Sequence, residues 1–355
     1  METARVLFLI NKLSVGGAER VCVDDANELL REGVSVEFCT LFGEGLLRNE
    51  LLLKDENVHT LHARNVFDRE ALRRAEMLVK ERNIAVIYST LNEANVFGRI
   101  LKTKVPAVRL VTREANMPYA KGLVYQMLDV LLAHKSDRIV AVSQSVASSI
   151  MQRIPWIKKK VTVLQNGVEV REVVLDRPSV HRLLTVGSLT EKKDQVLLIQ
   201  ALALLGEPYT LTMVGEGPCR KKLEGLAREL GCKDRVVFTG VLSKEDVAKA
   251  YAEHDIFVLS SKREGSPNVV LEALSAGLPV VAFSIPAVAE IIENHVHGFL
   301  VSPRTAKAFA DAVGHLSLSE RNRLGKEGNM HVLQHYSRAQ HLSALRGLLG
   351  VNKGL

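Results

Sequence analysis

The sequence predicts an α/β chain of two domains, each a parallel sheet flanked by helices, and three observations carry that expectation. Residues 255–283, DIFVLSSKREGSPNVVLEALSAGLPVVAF, read as strand, polar loop, helix, turn and strand. Residues 5–41 read the same way, with two glycines at the strand-to-helix turn. The run from Glu169 to His181 is charged, holds Pro178 and has little helical periodicity, so the domain boundary is placed there. A length of 355 residues suits two domains. The expected division is 1–170, then 171–335, then a last helix over 336–355.

In the first domain, Arg5 to Asn11 reads as a strand and Leu13 to Gly17 as a loop. Ala18 to Arg31 reads as a helix that Gly33 ends, and Val34 to Leu41 as the next strand. Gly16 and Gly17 at the strand-to-helix turn would let a ligand approach the backbone. The full G-x-G-x-x-G pattern is missing, so a dinucleotide fingerprint is poor. Helices are expected over Leu72–Glu81 and Asn95–Leu101, and strands over Ile84–Ser89 and Val108–Thr112. Arg113 and Glu114 then fall in a loop at the carboxyl edge, where they read as a solvated pair. Tyr119 to Leu132 reads as one amphipathic helix, Asp137 to Val142 as a strand, and Ser143 as the cap of the next helix. R-I-P-W-I-K-K-K from Arg153 holds the only tryptophan. Tryptophan beside lysines marks a membrane interface, though such a segment is more often a helix end packed on its own domain. Val161 to Leu164 closes the sheet.

The second domain opens with strand Arg182–Val186, followed by Gly187, Ser188 and the entry to a helix at Lys192-Lys193-Asp194. A glycine at a strand end and a lysine at a helix entrance suit a phosphate. Strand Tyr209–Val214, the turn G-E-G-P and helix Cys219–Leu230 follow; then come strand Val236–Phe238, its exit at Gly240-Val241, and Ser243 capping helix Lys244–Glu253. In the 255–283 element, Ile256 to Leu259 is apolar enough for a strand buried on both faces. Ser266 is expected to cap the helix, Pro267 to take its first position, and Gly277 to end it. The loop and helix start then sit at the carboxyl end of a parallel strand, where open α/β sheets bind ligands. Taken alone, Glu264 and Glu272 read equally as solvated glutamates on a crossover helix. Helices over Ala306–Leu316 and on to Gly350 complete the chain.

The order E-G-S-P-N-V-V-L-E-A, two glutamates with seven residues between them, resembles the donor-site motif of retaining GT-B glycosyltransferases of family four. G-G-A-E-R in the first loop is similar to that family's, and V-G-E-G-P and N-G-V recur in it. The resemblance implies the GT-B arrangement, two Rossmann-like domains facing across a cleft, with the last helix crossing back to the first domain. It implies that the second domain holds a nucleotide sugar, UDP-linked by expectation, and the first a glycan or lipid-linked acceptor. Glu264 would hold sugar hydroxyls, Glu272 the ribose, and Lys193 the leaving phosphate. Backbone groups of Gly265, Ser266 and Asn268 would face sugar or phosphate, the exit at Val241 the base, and Gly16 and Gly17 the diphosphate. Gly187 and Ser188 stand where the family pattern has Gly-Arg. Ser188 does not supply that arginine's diphosphate contact, and Lys192 and Arg263 are the candidates to compensate for it. Glu114 falls where relatives carry a polar residue near the reacting sugar. Neither a cofactor nor a metal is implied.

Bulk properties narrow the alternatives. The net charge is +7, but aromatics are only 5% and no basic stripe interleaves with them, so nucleic acid is not the expected partner. A diphosphate or an anionic membrane explains the charge equally. There is no apolar run of about 18 residues, and Val6 to Ile10 is too short for a signal-peptide core, so a cytoplasmic protein is expected, peripheral at most on the membrane's inner face. The four cysteines have no metal spacing. A sugar-nucleotide epimerase, a dehydrogenase and a non-catalytic sugar-binding module are the rival readings.

Overall fold

The computed structural model describes residues 4–169 and 181–351. The chain divides into two units, Met1–Asn166 with Ala339–Leu355, and Gly167–Arg338. Most of the expected boundary segment, residues 170–180, lies outside the described residues.

The first unit runs β1 Arg5–Ile10, α1 Gly17–Arg31, β2 Val36–Thr40, β3 Val58–Thr60, α2 Arg69–Glu81, β4 Ile84–Thr90, α3 Asn92–Lys102, β5 Arg109–Glu114, α4 Leu123–Leu132, β6 Arg138–Ala141, α5 Gln144–Arg153 and β7 Val161–Val163. Its sheet is parallel, in the order β3-β2-β1-β4-β5-β6-β7. The unbroken apolar run of β1 is explained by burial on both faces. Val6, Phe8 and Ile10 enter one core cluster, while Leu7 and Leu9 enter another on the opposite face. Phe8 stacks on Phe38 at 6.0 Å and meets the edge of Tyr88 at 5.4 Å.

The second unit runs β8 Arg182–Val186, α6 Val196–Leu205, β9 Thr210–Val214, α7 Arg220–Glu229, β10 Val236–Gly240, α8 Lys244–Glu253, β11 Ile256–Leu259, α9 Asn268–Ser275, β12 Val280–Phe283, α10 Pro286–Ala289, β13 Gly298–Val301, α11 Ala306–Gly314 and α12 Leu318–His335. Its parallel order is β10-β9-β8-β11-β12-β13. Ile256 and Val258 face one core, Phe257 and Leu259 the other. Connections run outward from β8 to one side and from β11 to the other. The crevice at the carboxyl ends of β8 and β11 is therefore the switch point of this sheet.

The last helix, α13 Arg338–Leu349, contributes Leu345 and Leu349 to the core around β1. Buried His341 pairs with Asp25 of α1 at 3.1 Å and meets the carbonyl of Gln165 at 2.7 Å, and Arg346 pairs with Glu32.

Several expectations need correction. The single helix expected over Tyr119–Leu132 is instead a short 3-10 turn, Pro118–Ala120, followed by α4. Gly122, extended at ψ 152°, separates them, and the Lys121 side chain turns inward to an ion-pair cluster. Ser266 does not cap α9: Pro267, held at φ −79° and ψ 90°, takes the cap position, and the helix begins at Asn268. Glu114 is the last residue of β5 rather than a loop residue.

Candidate active site

Two loops leave the switch point of the second sheet. The one after β8 begins at Gly187, whose φ of +149° few side-chain-bearing residues adopt. The Lys193 side chain folds back over it: a Cβ built on Gly187 would lie 3.6 Å from Nζ. The other, after β11, carries Glu264. Lys193 Nζ donates to Glu264 Oε1 at 2.6 Å, across 71 positions of sequence. Lys192 Nζ stands 3.5 Å from Oε2, so both lysines face one carboxylate. Ser188 is exposed, and its carbonyl accepts from Gln195 Nε2. Arg263 is exposed.

Glu264 is buried, which by itself would raise its pKa. The charges of Lys193 and then Lys192 outweigh that and hold its carboxyl below the ordinary range. The site thus presents an ionised carboxylate and two ammonium groups at a strand edge, beside the N-terminus of α9. Helix N–H groups and the positive dipole end add to its capacity for an anion.

Gly265 and Pro267 are buried, and Ser266 and Asn268 are partly exposed at the start of α9. Glu272 lies one turn further along and accepts from the Tyr251 hydroxyl of α8 at 2.8 Å. Tyr251 was not legible as a site residue, since no local pattern links it to Glu272. Helix α12 packs close on α9: a Cβ on Gly328 would strike Leu274 Cδ2 at 2.6 Å. Val241, at the exit of β10, is 59% exposed.

In the first unit, Gly16 precedes α1 in extended conformation and Gly17 opens it. A Cβ on Gly17 would meet nothing within 4 Å, whereas one on Gly16 would strike the Glu19 carboxylate, so only Gly17 faces open space. Glu114 is placed differently from expectation. It is 3% exposed, and both its oxygens are engaged, one by Arg99 Nη2 at 2.9 Å and the other by Lys121 Nζ at 2.7 Å. Asp129 of α4 binds the same two cations. Burial works against ionisation here, but Lys121 and Arg99 prevail and hold Glu114 at about 2. The reason for the difference is the strand: β5 runs one residue past the loop start and directs Glu114 inward as a counter-ion. Among the described residues no group of three or more His, Cys, Asp or Glu is placed to hold a metal ion, and no helix is long and apolar enough to cross a membrane.

Two parallel-sheet Rossmann-like units define the GT-B class of glycosyltransferase. The fold matches the crystal structure of Anabaena HepE in complex with UDP and glucose, with a TM-score of 0.85 over 98% of this chain and 99% of that one, at 20% identity. More particularly, the chain belongs to the family-four, group 1 glycosyltransferases. The model described as Glycosyltransferase Family 4 matches residues 15–172, and the one described as Glycosyl transferases group 1 matches residues 171–330. The lipopolysaccharide core biosynthesis glycosyltransferase LpsE of Rhizobium meliloti is 27% identical over 345 residues, 94% of this chain and 96% of that one. An uncharacterized glycosyltransferase of Methanocaldococcus jannaschii is 30% identical over 200 residues, a match spanning about half of each chain, 52% and 51%.

Proposed function

We propose that this glycosyltransferase moves a hexose or N-acetylhexosamine from a UDP-sugar to a lipid-linked or polysaccharide glycan, with retention of configuration and without a metal ion. The observation that carries the reading is the Lys193–Glu264 pair at the switch point of the second sheet, with Glu272 one helix turn on. The UDP and glucose in the HepE complex support the donor class, and the LpsE name supports a glycan acceptor.

The reaction breaks the bond between the anomeric carbon and the diphosphate, and negative charge grows on the leaving oxygen. Lys193, with the N-terminus of α9, is placed to stabilise that charge. Lys192 is the candidate to replace the arginine that Ser188 does not supply. Entry of a diphosphate exchanges the Lys193–Glu264 pair for Lys193–phosphate, which frees Glu264 to accept from sugar hydroxyls. Backbone N–H groups of Gly265, Ser266 and Asn268 line that side. Glu272 accepts from ribose, the exit at Val241 meets the base, and Gly16 and Gly17 keep the diphosphate role that the resemblance gives them. The departing phosphate oxygen takes the acceptor's proton as the new glycosidic bond forms. Glu114, committed to Arg99 and Lys121, is assigned no contact with substrate.

The acceptor side is proposed to work at the cytosolic face of a membrane. The amphipathicity of α4 is inverted. Its one buried residue is Asp129, held by Arg99 and Lys121, while Leu123, Val124, Met127 and Leu131 are each more than 60% exposed. The segment Pro155–Lys160 ends beside it, where Lys160 Nζ bonds the carbonyls of His134 and Ser136. It presents Trp156, 64% exposed, next to exposed Lys158 and Lys159. Exposed apolar side chains on α4, with an exposed tryptophan and lysines on the segment joined to the chain just after it, complement an anionic bilayer surface.

Incubation with UDP-glucose, UDP-galactose, UDP-GlcNAc and UDP-GalNAc, with and without lipid-linked and polysaccharide acceptors, tests the reading. A new glycosidic product with UDP release is expected. Isomerised donor without acceptor would instead mark an epimerase, and no turnover of any donor a binding module.

A further inference from the structure

We propose that Arg304 is a positioning residue: it fixes the spacing of Lys193 and Glu264, and through it turnover. This rests on the reading of those two residues as donor contacts. Arg304 follows β13, at the far side of the sheet from β8. Its guanidinium lies over the Phe283 ring at the end of β12, 4.4 Å from the centroid. From there it reaches across the end of β11, where Nη1 donates to the Ser261 carbonyl at 3.1 Å and Nη2 to that of Ser260. Nη2 also pairs with Asp194 Oδ2 in the loop after β8 at 2.8 Å. One side chain thus spans four strand ends and ties both ligand-bearing loops.

The two loops are stitched together around it. Ser260 Oγ donates to the Lys193 carbonyl at 2.8 Å, and the Lys262 amide donates to the Lys192 carbonyl at 2.9 Å. Asp194, next to Lys193, sits at φ +54°, a conformation that disfavours a residue with a Cβ. Its carboxylate is held by Arg304, with Lys262 Nζ at 3.7 Å. Arg304 therefore stabilises a strained turn on one side of the pair and the strand exit that leads to Glu264 on the other. Only a guanidinium supplies this fork of donors together with a flat face for the ring. Neither Arg304 nor Asp194 reaches the Lys193–Glu264 contact itself, so they act through the loops.

The test compares Arg304→Met, Arg304→Lys, Asp194→Asn and the Met/Asn double variant with Lys193→Ala as a control. The probe is whichever of the four UDP-sugars above gives the largest thermal shift, with UDP alone as its sugar-free counterpart. Arg304→Met is expected to lower kcat by about ten- to a hundredfold, the cost of misplacing reacting groups by a fraction of an ångström to an ångström. Affinity for UDP should fall by clearly less than kcat does, because Lys193 is only one of its contacts and the Glu272 end of the site is untouched. Arg304→Lys should recover part of kcat, and the double variant should be no slower than Arg304→Met, since both changes break one network. Hydrogen exchange at the Lys262 amide should rise in Arg304→Met while that of β11 does not. The proposal is overturned by folded Arg304→Met protein with kcat within about threefold of wild type. It is equally overturned by a loss of activity that only tracks a lower Tm, or by additive effects in the double variant. If Lys193→Ala turns over normally, or no UDP-sugar binds, the donor-site reading fails first and takes this inference with it.

Discussion

Replacing Glu114 by Gln separates an internal counter-ion from a group that meets the sugar. Glutamine keeps the shape but removes the charge, leaving Arg99 and Lys121 to share Asp129 alone. Lys121 and Arg99 hold the folded carboxyl well below its ordinary range, so the charged form stabilises the fold. Breaking a buried pair of this kind costs about 3–5 kcal/mol. For a unit of this size that lowers Tm by about 6–20 °C. Because the folded pKa is depressed, the contribution is complete above about pH 4.5 and disappears as pH falls through about 2. The gap between wild type and variant should therefore narrow in acid. Hydrogen exchange of β5 and α4 follows the first unit separately from the second, which a single melting curve would not. Turnover per folded molecule should stay within a few fold. Unchanged stability with turnover lost a hundredfold or more would refute the counter-ion argument and return Glu114 to the reacting centre.

Glu272→Ala removes the acceptor of the Tyr251 hydroxyl and, on the proposed reading, the ribose contact; UDP affinity measured by calorimetry should fall by about ten- to a hundredfold, roughly 1.5–3 kcal/mol. Transfer should survive EDTA, with Lys193 meeting the charge on the phosphate; activity lost in EDTA and restored by Mn²⁺ or Mg²⁺ would remove that assignment. Lys158→Ser with Lys159→Ser should weaken sedimentation with anionic vesicles by about thirtyfold, at about 1 kcal/mol per lysine, and wild type that ignores anionic vesicles at physiological salt would end the membrane reading. His331 stacks on His297 at 4.1 Å, and burial first, then His297 and His335, push it down to about 4. A base whose folded pKa is lowered costs stability as pH falls from about 6.5 toward 4, so His331→Phe should flatten that slope for the second unit in urea titrations across the range.

The second unit was far more legible than the first, for a physical reason. Parallel strands buried on both faces write themselves as apolar runs, and Gly187, Gly277 and Ser243 mark their exits and caps by backbone geometry that few other residues adopt or by side-chain capping. Glu264 and Lys193 were each readable as residues at a strand exit. Their contact was not, because 71 positions separate them and only the sheet order makes β8 and β11 neighbours. In the first unit the departures from expectation, the split before α4 and the inward Glu114, centre on one ion cluster. The period of α4 is helical, but a pattern says which residues share a face, not which face is inside. Here two carboxylates and two cations won the interior, and the leucines were left outside. Ser266 looked like a cap because serine before proline usually is one; the extended backbone of Pro267 took that position instead.

The route of the chain between the units has a consequence for how the protein is made. Val168 and Ser337 lie side by side as a parallel bridge, with the Val168 amide donating to Tyr336 and the Arg338 amide to Val168, both at 2.9 Å. Everything between them belongs to the second unit, while α13, synthesised after it, belongs to the first. On a ribosome the second unit has all its strands before the first has its last helix. Until His341 reaches Asp25, and Leu345 and Leu349 close over β1, the nascent first unit keeps an apolar face open. The first unit is completed only after the second, and a chain that stopped before Leu345 would leave a gap beside β1.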